Sequence, residues 1–78
     1  MTKAILVYGR ENCPYCDKTK EYLNSLNIPY TYVDITNWDR ERKEKLKSDY
    51  NVKTVPVIII NGMLIGGYTE LTQQLHLV

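Results

Sequence analysis

Val55-Pro56-Val57-Ile58-Ile59-Ile60-Asn61-Gly62-Met63-Leu64-Ile65-Gly66-Gly67 is the stretch on which the fold turns. The β-branched run over 55–60 reads as a buried strand. Asn61-Gly62 is the favoured pair for a two-residue hairpin turn, and residues 63–65 return as a short antiparallel partner before two glycines break the pattern. Upstream, the apolar run over 4–8 ends at Gly9 and reads as another buried strand. Asn12-Cys13-Pro14 then reads as a helix start, with Cys13 at the N-cap and Pro14 at the first helical position, where a missing N–H costs nothing. Thr19, Tyr22, Leu23 and Leu26 follow at helical spacing, and the helix should stop before Asn27-Ile28-Pro29. Residues 30–35 form a β-branched and aromatic strand. Thr36 or Asn37 is the expected cap of a second helix reaching about Tyr50, with Trp38, Leu46 and Tyr50 as its thin apolar stripe. Thr69 is the expected cap of a last helix striped by Leu71, Leu75 and Val78.

The order β-α-β-α-β-β-α predicts an α/β fold. A parallel strand–helix–strand unit joined to an antiparallel hairpin gives a four-stranded mixed sheet flanked by three helices. A chain of 78 residues makes one domain, taken as 1–78, and buries only about 60% of its unfolded surface. Ten Lys and Arg against nine Asp and Glu leave a net charge of +1, which argues against a nucleic-acid or anionic-membrane binder. The run over 4–8 is too short for a signal h-region or a bilayer span. The expectation is a cytoplasmic, monomeric protein in a reducing compartment, where two cysteines are more often chemical than structural. With His76 the lone histidine, a complete four-ligand zinc site is disfavoured, and no metal is expected.

Cys13-Pro14-Tyr15-Cys16 carries the chemistry. A spacing of three on a helix puts both thiols on one face, within disulfide reach. At the N-cap, the Cys13 sulfur faces the unsatisfied N–H groups of Tyr15 and Cys16 and the positive end of the helix dipole. Both favour thiolate, so a depressed pKa is expected for Cys13 and a higher one for Cys16, which faces the core. Cys13 attacks and Cys16 resolves. At an ordinary pKa of ~8.5 about 3% of a thiol is ionised at neutral pH, so full ionisation gains roughly thirty-fold. A pKa drop of ~4 units costs on the order of a hundred-fold in intrinsic nucleophilicity. The benefit therefore lies in departure, because a low-pKa thiol leaves more readily from a mixed disulfide.

Together with Thr54-Val55-Pro56 and Gly66-Gly67, in order and at family spacing from Lys3 to Leu77, this motif resembles the glutaredoxins. The resemblance implies the thioredoxin-like fold in its minimal form. It also implies a glutathione-dependent thiol–disulfide oxidoreductase acting on protein disulfides and glutathionyl mixed disulfides, with ribonucleotide reductase a candidate substrate. Glutathione is the implied cosubstrate, with no bound cofactor. Pro56 corresponds to a cis-proline that leaves the Val55 backbone free to pair with the cysteinyl part of glutathione. Arg10 corresponds to a basic residue that favours the thiolate and attracts a ligand carboxylate; without the resemblance it reads equally well as a solvated arginine. Tyr15 flanks the ligand, Thr54 lines the groove, and Gly67, Tyr68 and Thr69 hold the γ-glutamyl end. Many glutaredoxins carry an acid where Thr69 stands, but here the acid is Glu70; either Glu70 compensates or glutathione binds more weakly. Tyr68 replaces a residue that is often cysteine. The rivals are an NrdH-type redoxin reduced by thioredoxin reductase, and an iron–sulfur module in which two chains share a cluster through Cys13 and glutathione. His76 reads as a helix cap or surface residue, Trp38 as a packing anchor, and the alternating charges over 40–47 as a solvated face.

Overall fold

Asn61 and Gly62 both take positive φ, 52° and 82°, the backbone of the tight turn that matches strand twist. In the computed structural model, which describes residues 4–76, this turn joins β3 (Val57–Ile60) to β4 (Met63–Gly66) in antiparallel register. Ahead of them run β1 (Ile5–Gly9), α1 (Pro14–Ser25), β2 (Thr31–Asp34) and α2 (Arg40–Asp49), and α3 (Tyr68–His76) follows. The sheet order is β2-β1-β3-β4, with β1 parallel to β2 and antiparallel to β3. This is the expected element order and the expected mixed sheet.

β3 is buried along its whole length, as its unbroken β-branched run requires of a central strand. Val7 pairs with Ile58 and Ile5 with Ile60, and these four form one core with Leu23 of α1 and Leu71 of α3. Fully burying each such side chain is worth about 1.5–3 kcal/mol. Alternation sends Tyr8, Val57 and Ile59 to the other face. There Trp38 meets Tyr8 edge-on at 6.0 Å, the packing anchor expected of it, and α2 buries Leu46.

The differences from expectation lie at element ends. Val55 and Pro56 precede β3 rather than opening it: proline has no N–H for the ladder, and the Val55–Pro56 peptide is cis. α1 does stop before Asn27 as expected: Asn27 takes φ 56°, with Ile28 N–H donating to Leu23 C=O and its own N–H to Asn24 C=O, both at 3.0 Å. α2 repeats this left-handed close at Asn51, φ 53°, with Val52 N–H on Lys47 C=O at 2.9 Å. Neither Thr36 nor Asn37 caps α2. Asp39 does, its carboxylate accepting from Arg42 N–H at 2.7 Å, because Thr36 is already engaged with Asp34. Nor does Thr69 cap α3, since it lies in the first turn. Instead Glu70 reaches back to accept from Gly67 N–H at 2.8 Å, the returning half of a capping box. Leu71 is fully buried as expected. Residues 1–3 and 77–78, and the side chains of Gln74, Leu75 and His76, lie outside the described part, and with them the expected roles of Leu75, His76 and Val78. Among the described residues no helix is long and apolar enough to cross a membrane.

The reassigned cap is testable by chemical denaturation. Asp39→Ala is expected to lower unfolding stability by about 1 kcal/mol. Asn37→Ala should stay within about 0.5 kcal/mol of the parent.

Candidate active site

β1 ends at Gly9, and the chain turns through Asn12, φ 55°, into the mouth of α1. Cys13 is the N-cap in extended conformation (φ −122°, ψ 100°), followed by Pro14 in the first turn. Its Sγ accepts from Cys16 N–H at 3.2 Å. Of the two amides expected to face the sulfur, only that of Cys16 forms the bond. The two cysteines are joined as a disulfide, with Cα atoms 5.2 Å apart. Cys13 keeps 6% of its surface exposed and Cys16 none, so an incoming sulfur has access to Cys13 alone. Helix position and burial therefore set the two sulfurs apart: Cys13 lies at the helix mouth and Cys16 inside. The Val55 carbonyl lies 3.9 Å from the Cys13 sulfur, which brings the segment before β3 over the redox pair.

Two contacts hold this loop. Glu11 N–H donates to the Thr36 hydroxyl at 2.9 Å, and Thr36 in turn donates its N–H and its hydroxyl to the Asp34 carboxylate. The two Thr36 bonds keep the Asp34 carboxyl below the usual aspartate range. Beneath the loop, Gly9 has no room for a side chain: a β-carbon there would collide with the Tyr32 hydroxyl and lie 3.0 Å from the Cys16 sulfur. Burial first, and then the Asp34 charge, holds the Tyr32 phenol above its ordinary value, so an O–H rather than a phenolate shares that space with the buried sulfur.

A groove of about 150 Å³ opens beside Cys13, lined by Tyr15, Thr54, Val55, Pro56, Gly67, Tyr68, Thr69 and Glu70. Eight of the nine residues expected around a ligand thus converge. The ninth, Arg10, does not: it lines a separate hollow on the other flank of Thr54 and Val55. One wall is aromatic, the Tyr68 ring lying 6.0 Å from Tyr15 and 6.2 Å from Tyr22. Gly66 adopts φ 123°, and a β-carbon there would come within 2.7 Å of Glu70 Oε1, so the carboxylate folds against bare backbone. Because Glu70 holds the Gly67 N–H, the amides left for an anion are those of the first turn of α3, at Tyr68 and Thr69. A larger hollow, about 500 Å³, lies at the opposite end of the sheet among Ala4, Pro29, Tyr30 and Tyr50. It holds no nucleophile, so size does not assign the site.

The glutaredoxin family profile matches residues 5–65. The chain belongs to the glutaredoxin family. Glutaredoxin 1 of Rickettsia conorii is 43% identical over 72 residues, covering 86% of this chain and 71% of its own. A glutaredoxin-like 8.6 kDa protein of the rubredoxin operon of Clostridium pasteurianum is 39% identical over 66 residues, covering 85% and 87%. The crystal structure of Glutaredoxin 1 from Francisella tularensis superposes with a TM-score of 0.82 at 27% identity, over 96% of this chain and 94% of that one. The fold is thioredoxin-like, and this glutaredoxin is a thiol–disulfide oxidoreductase whose redox pair is Cys13 and Cys16. Sequence reading missed Gly9, Tyr22, Tyr32 and Thr36 around that pair. Only Gly9, bounding a strand just before the motif, carried a signal.

Removing the Thr36 hydroxyl tests the loop anchor. In Thr36→Val, the Asp34 carboxyl measured by NMR is expected to titrate closer to the ordinary value of about 3.9, and Glu11 amide exchange to accelerate. A carboxyl with a depressed folded pKa contributes stability above its unfolded value and loses it as pH falls through the folded one. Wild-type stability should therefore fall more steeply than that of Thr36→Val below about pH 4.

Proposed function

We propose that this glutaredoxin takes its electrons from glutathione and uses them to reduce protein disulfides and glutathionyl mixed disulfides. The observation that carries the reading is the groove beside Cys13, where the Val55 backbone, the first-turn amides of α3 and the Glu70 carboxylate converge. A tripeptide thiol with its sulfur at Cys13 lies along Val55 and brings its γ-glutamyl carboxylate to the Tyr68 and Thr69 amides. Glu70 Oε1 is occupied by Gly67. A carboxylate has a second oxygen to offer, and Oε2 is assigned to the ligand ammonium group. Glu70 thereby compensates for the threonine at position 69.

With a protein disulfide, the Cys13 thiolate attacks one substrate sulfur and expels the other as a thiolate, which takes a proton from solvent. Cys16 then loses its proton and attacks the Cys13 sulfur. The substrate leaves fully reduced and Cys13–Cys16 oxidised, and two glutathione molecules return the two electrons. With a glutathionylated protein, Cys13 takes the glutathionyl group and a second glutathione releases it as glutathione disulfide. The proposed setting is a monomer in the reducing cytoplasm, with ribonucleotide reductase a candidate substrate by family analogy. Thr69, in place of an acid, favours a second reading, an NrdH-type redoxin with thioredoxin reductase as donor.

Coupled NADPH oxidation separates the two. Wild-type protein is expected to turn over with glutathione and glutathione reductase, and turnover with thioredoxin reductase alone would establish the second reading instead. Glu70→Gln keeps the backbone acceptor but removes the charge, so KM for glutathione should rise about fivefold, the equivalent of ~1 kcal/mol, with kcat unchanged. Cys16→Ser should retain release of glutathionyl groups and lose most protein-disulfide reduction; loss of both would contradict the roles assigned to the two sulfurs.

A further inference from the structure

The Cys16 side chain is 0% exposed, and a thiol withdrawn from water resists ionisation. In the exchange proposed above, its sulfur nonetheless carries negative charge at two points. It loses a proton before attacking the mixed disulfide at Cys13. In the opposite sense, a thiolate attacking the Cys13 sulfur breaks the Cys13–Cys16 bond and leaves the bonding pair on Cys16. Both steps are slow unless a donor stands where that charge develops.

The fold brings a hydroxyl to that place. Val7 pairs with Tyr32 across the parallel ladder, so Tyr32 shares the face on which Val7 packs with Leu23 of α1. Gly9 lies two residues further along the same face. The Tyr32 hydroxyl occupies the position a Gly9 β-carbon would take, and the Cys16 sulfur lies 3.0 Å from that same point. Hydroxyl and sulfur therefore border one small space, open only because residue 9 has no side chain. Lys20, one turn after Cys16 on α1, sets its ammonium group 4.4 Å from the centre of the Tyr32 ring, which holds the phenol against the helix. Among the described residues the Tyr32 O–H donates to no protein group. The Thr19 hydroxyl, buried three residues after Cys16, is by contrast committed to the Tyr15 carbonyl at 2.8 Å. Burial and the nearby Asp34 and Asp17 charges hold the Tyr32 phenol above its ordinary value, so it remains a donor.

We propose that the Tyr32 hydroxyl is the hydrogen-bond donor to the Cys16 thiolate, serving each step in which that sulfur bears charge. A sulfur in a neutral disulfide is a weak acceptor; a thiolate is a strong one, and a bond to it is about twice as strong as between neutral groups. When the Cys13–Cys16 bond is cleaved, the O–H donates to the departing sulfur and the phenol keeps its proton. Solvent then supplies the proton that makes the Cys16 thiol. When Cys16 attacks, its proton has passed to solvent, and the same bond stabilises the anion until its electron pair forms the new bond to the Cys13 sulfur. No electron passes through the ring. The inference rests on the roles proposed for the two sulfurs and is independent of which thiol supplies the electrons.

Tyr32→Phe deletes the hydroxyl alone and keeps the ring, its Lys20 contact and the Asp17, Tyr30 and Asp34 groups around it. In a Cys13→Ser background, carbon-13 NMR of the Cys16 β-carbon follows that thiol by itself. Its titration midpoint should rise by about one pH unit on Tyr32→Phe, the loss of one hydrogen bond to a charged group. Exchange is read with both cysteines present, by rapid mixing of reduced protein with an aromatic disulfide whose thiolate is coloured. Attack by Cys13 releases one thiolate and displacement by Cys16 a second. The first release should keep the wild-type rate in Tyr32→Phe, which also reports an intact fold. The second should slow about threefold at neutral pH, because a tenfold loss of thiolate is half offset, on a logarithmic scale, by the greater nucleophilicity of a higher-pKa sulfur. An unchanged midpoint, an unchanged second release, or equal slowing of both releases would overturn the proposal. A second release from Cys16→Ser would instead overturn the roles given to the sulfurs, while the NMR midpoint, which involves no exchange, still decided the hydrogen bond.

Discussion

The N–H of Cys16 points at the sulfur of Cys13 across 3.2 Å, and most of the molecule serves to keep that alignment. A helix N-terminus carries amides without partners and the positive end of a dipole. Placing a sulfur there stabilises its anion more than its thiol. Pro14 supports the arrangement without competing for it, since the first helical position needs no N–H. The second sulfur sits in the core, 0% exposed, so two identical side chains lie in different environments.

The sheet fixes where the helix mouth sits. β1 delivers the loop, Gly9 lets Tyr32 and Cys16 close beneath it, and the Asp34–Thr36–Glu11 chain of hydrogen bonds ties it to the end of β2. From the other side, the segment before β3 brings the Val55 carbonyl over the sulfur. Each flank of that segment is open: one is a small groove with an aromatic wall and helix amides, the other a wider basic hollow.

Much of this was legible in the chain because the signals were local. The Asn61-Gly62 turn, the unbroken run into β3 and Pro14 after Cys13 each name a backbone conformation, and the element order followed from them. Element ends were less legible. Thr36 and Asn37 are good cap residues by type, but Thr36 had a stronger partner in Asp34, and Asp39 took the role. Thr69 was displaced by Glu70, which caps α3 from within its first turn. Both outcomes were decided by competition between neighbouring side chains, which residue type alone does not rank. Long-range placement was least legible: nothing in the sequence says that Arg10 lies with Lys43, Lys47 and Lys53, or that Tyr32 closes under Gly9, because those meetings are made by strand order and helix rotation.

The ultraviolet titration of the Cys13 thiolate in the reduced protein, with Cys16→Ser to isolate its signal, tests the central claim most directly. Ionisation with a midpoint well below the ordinary thiol value of about 8.5 is the expected result. A midpoint at or above that value would mean that the helix mouth does not hold the sulfur as an anion, and would contradict the account.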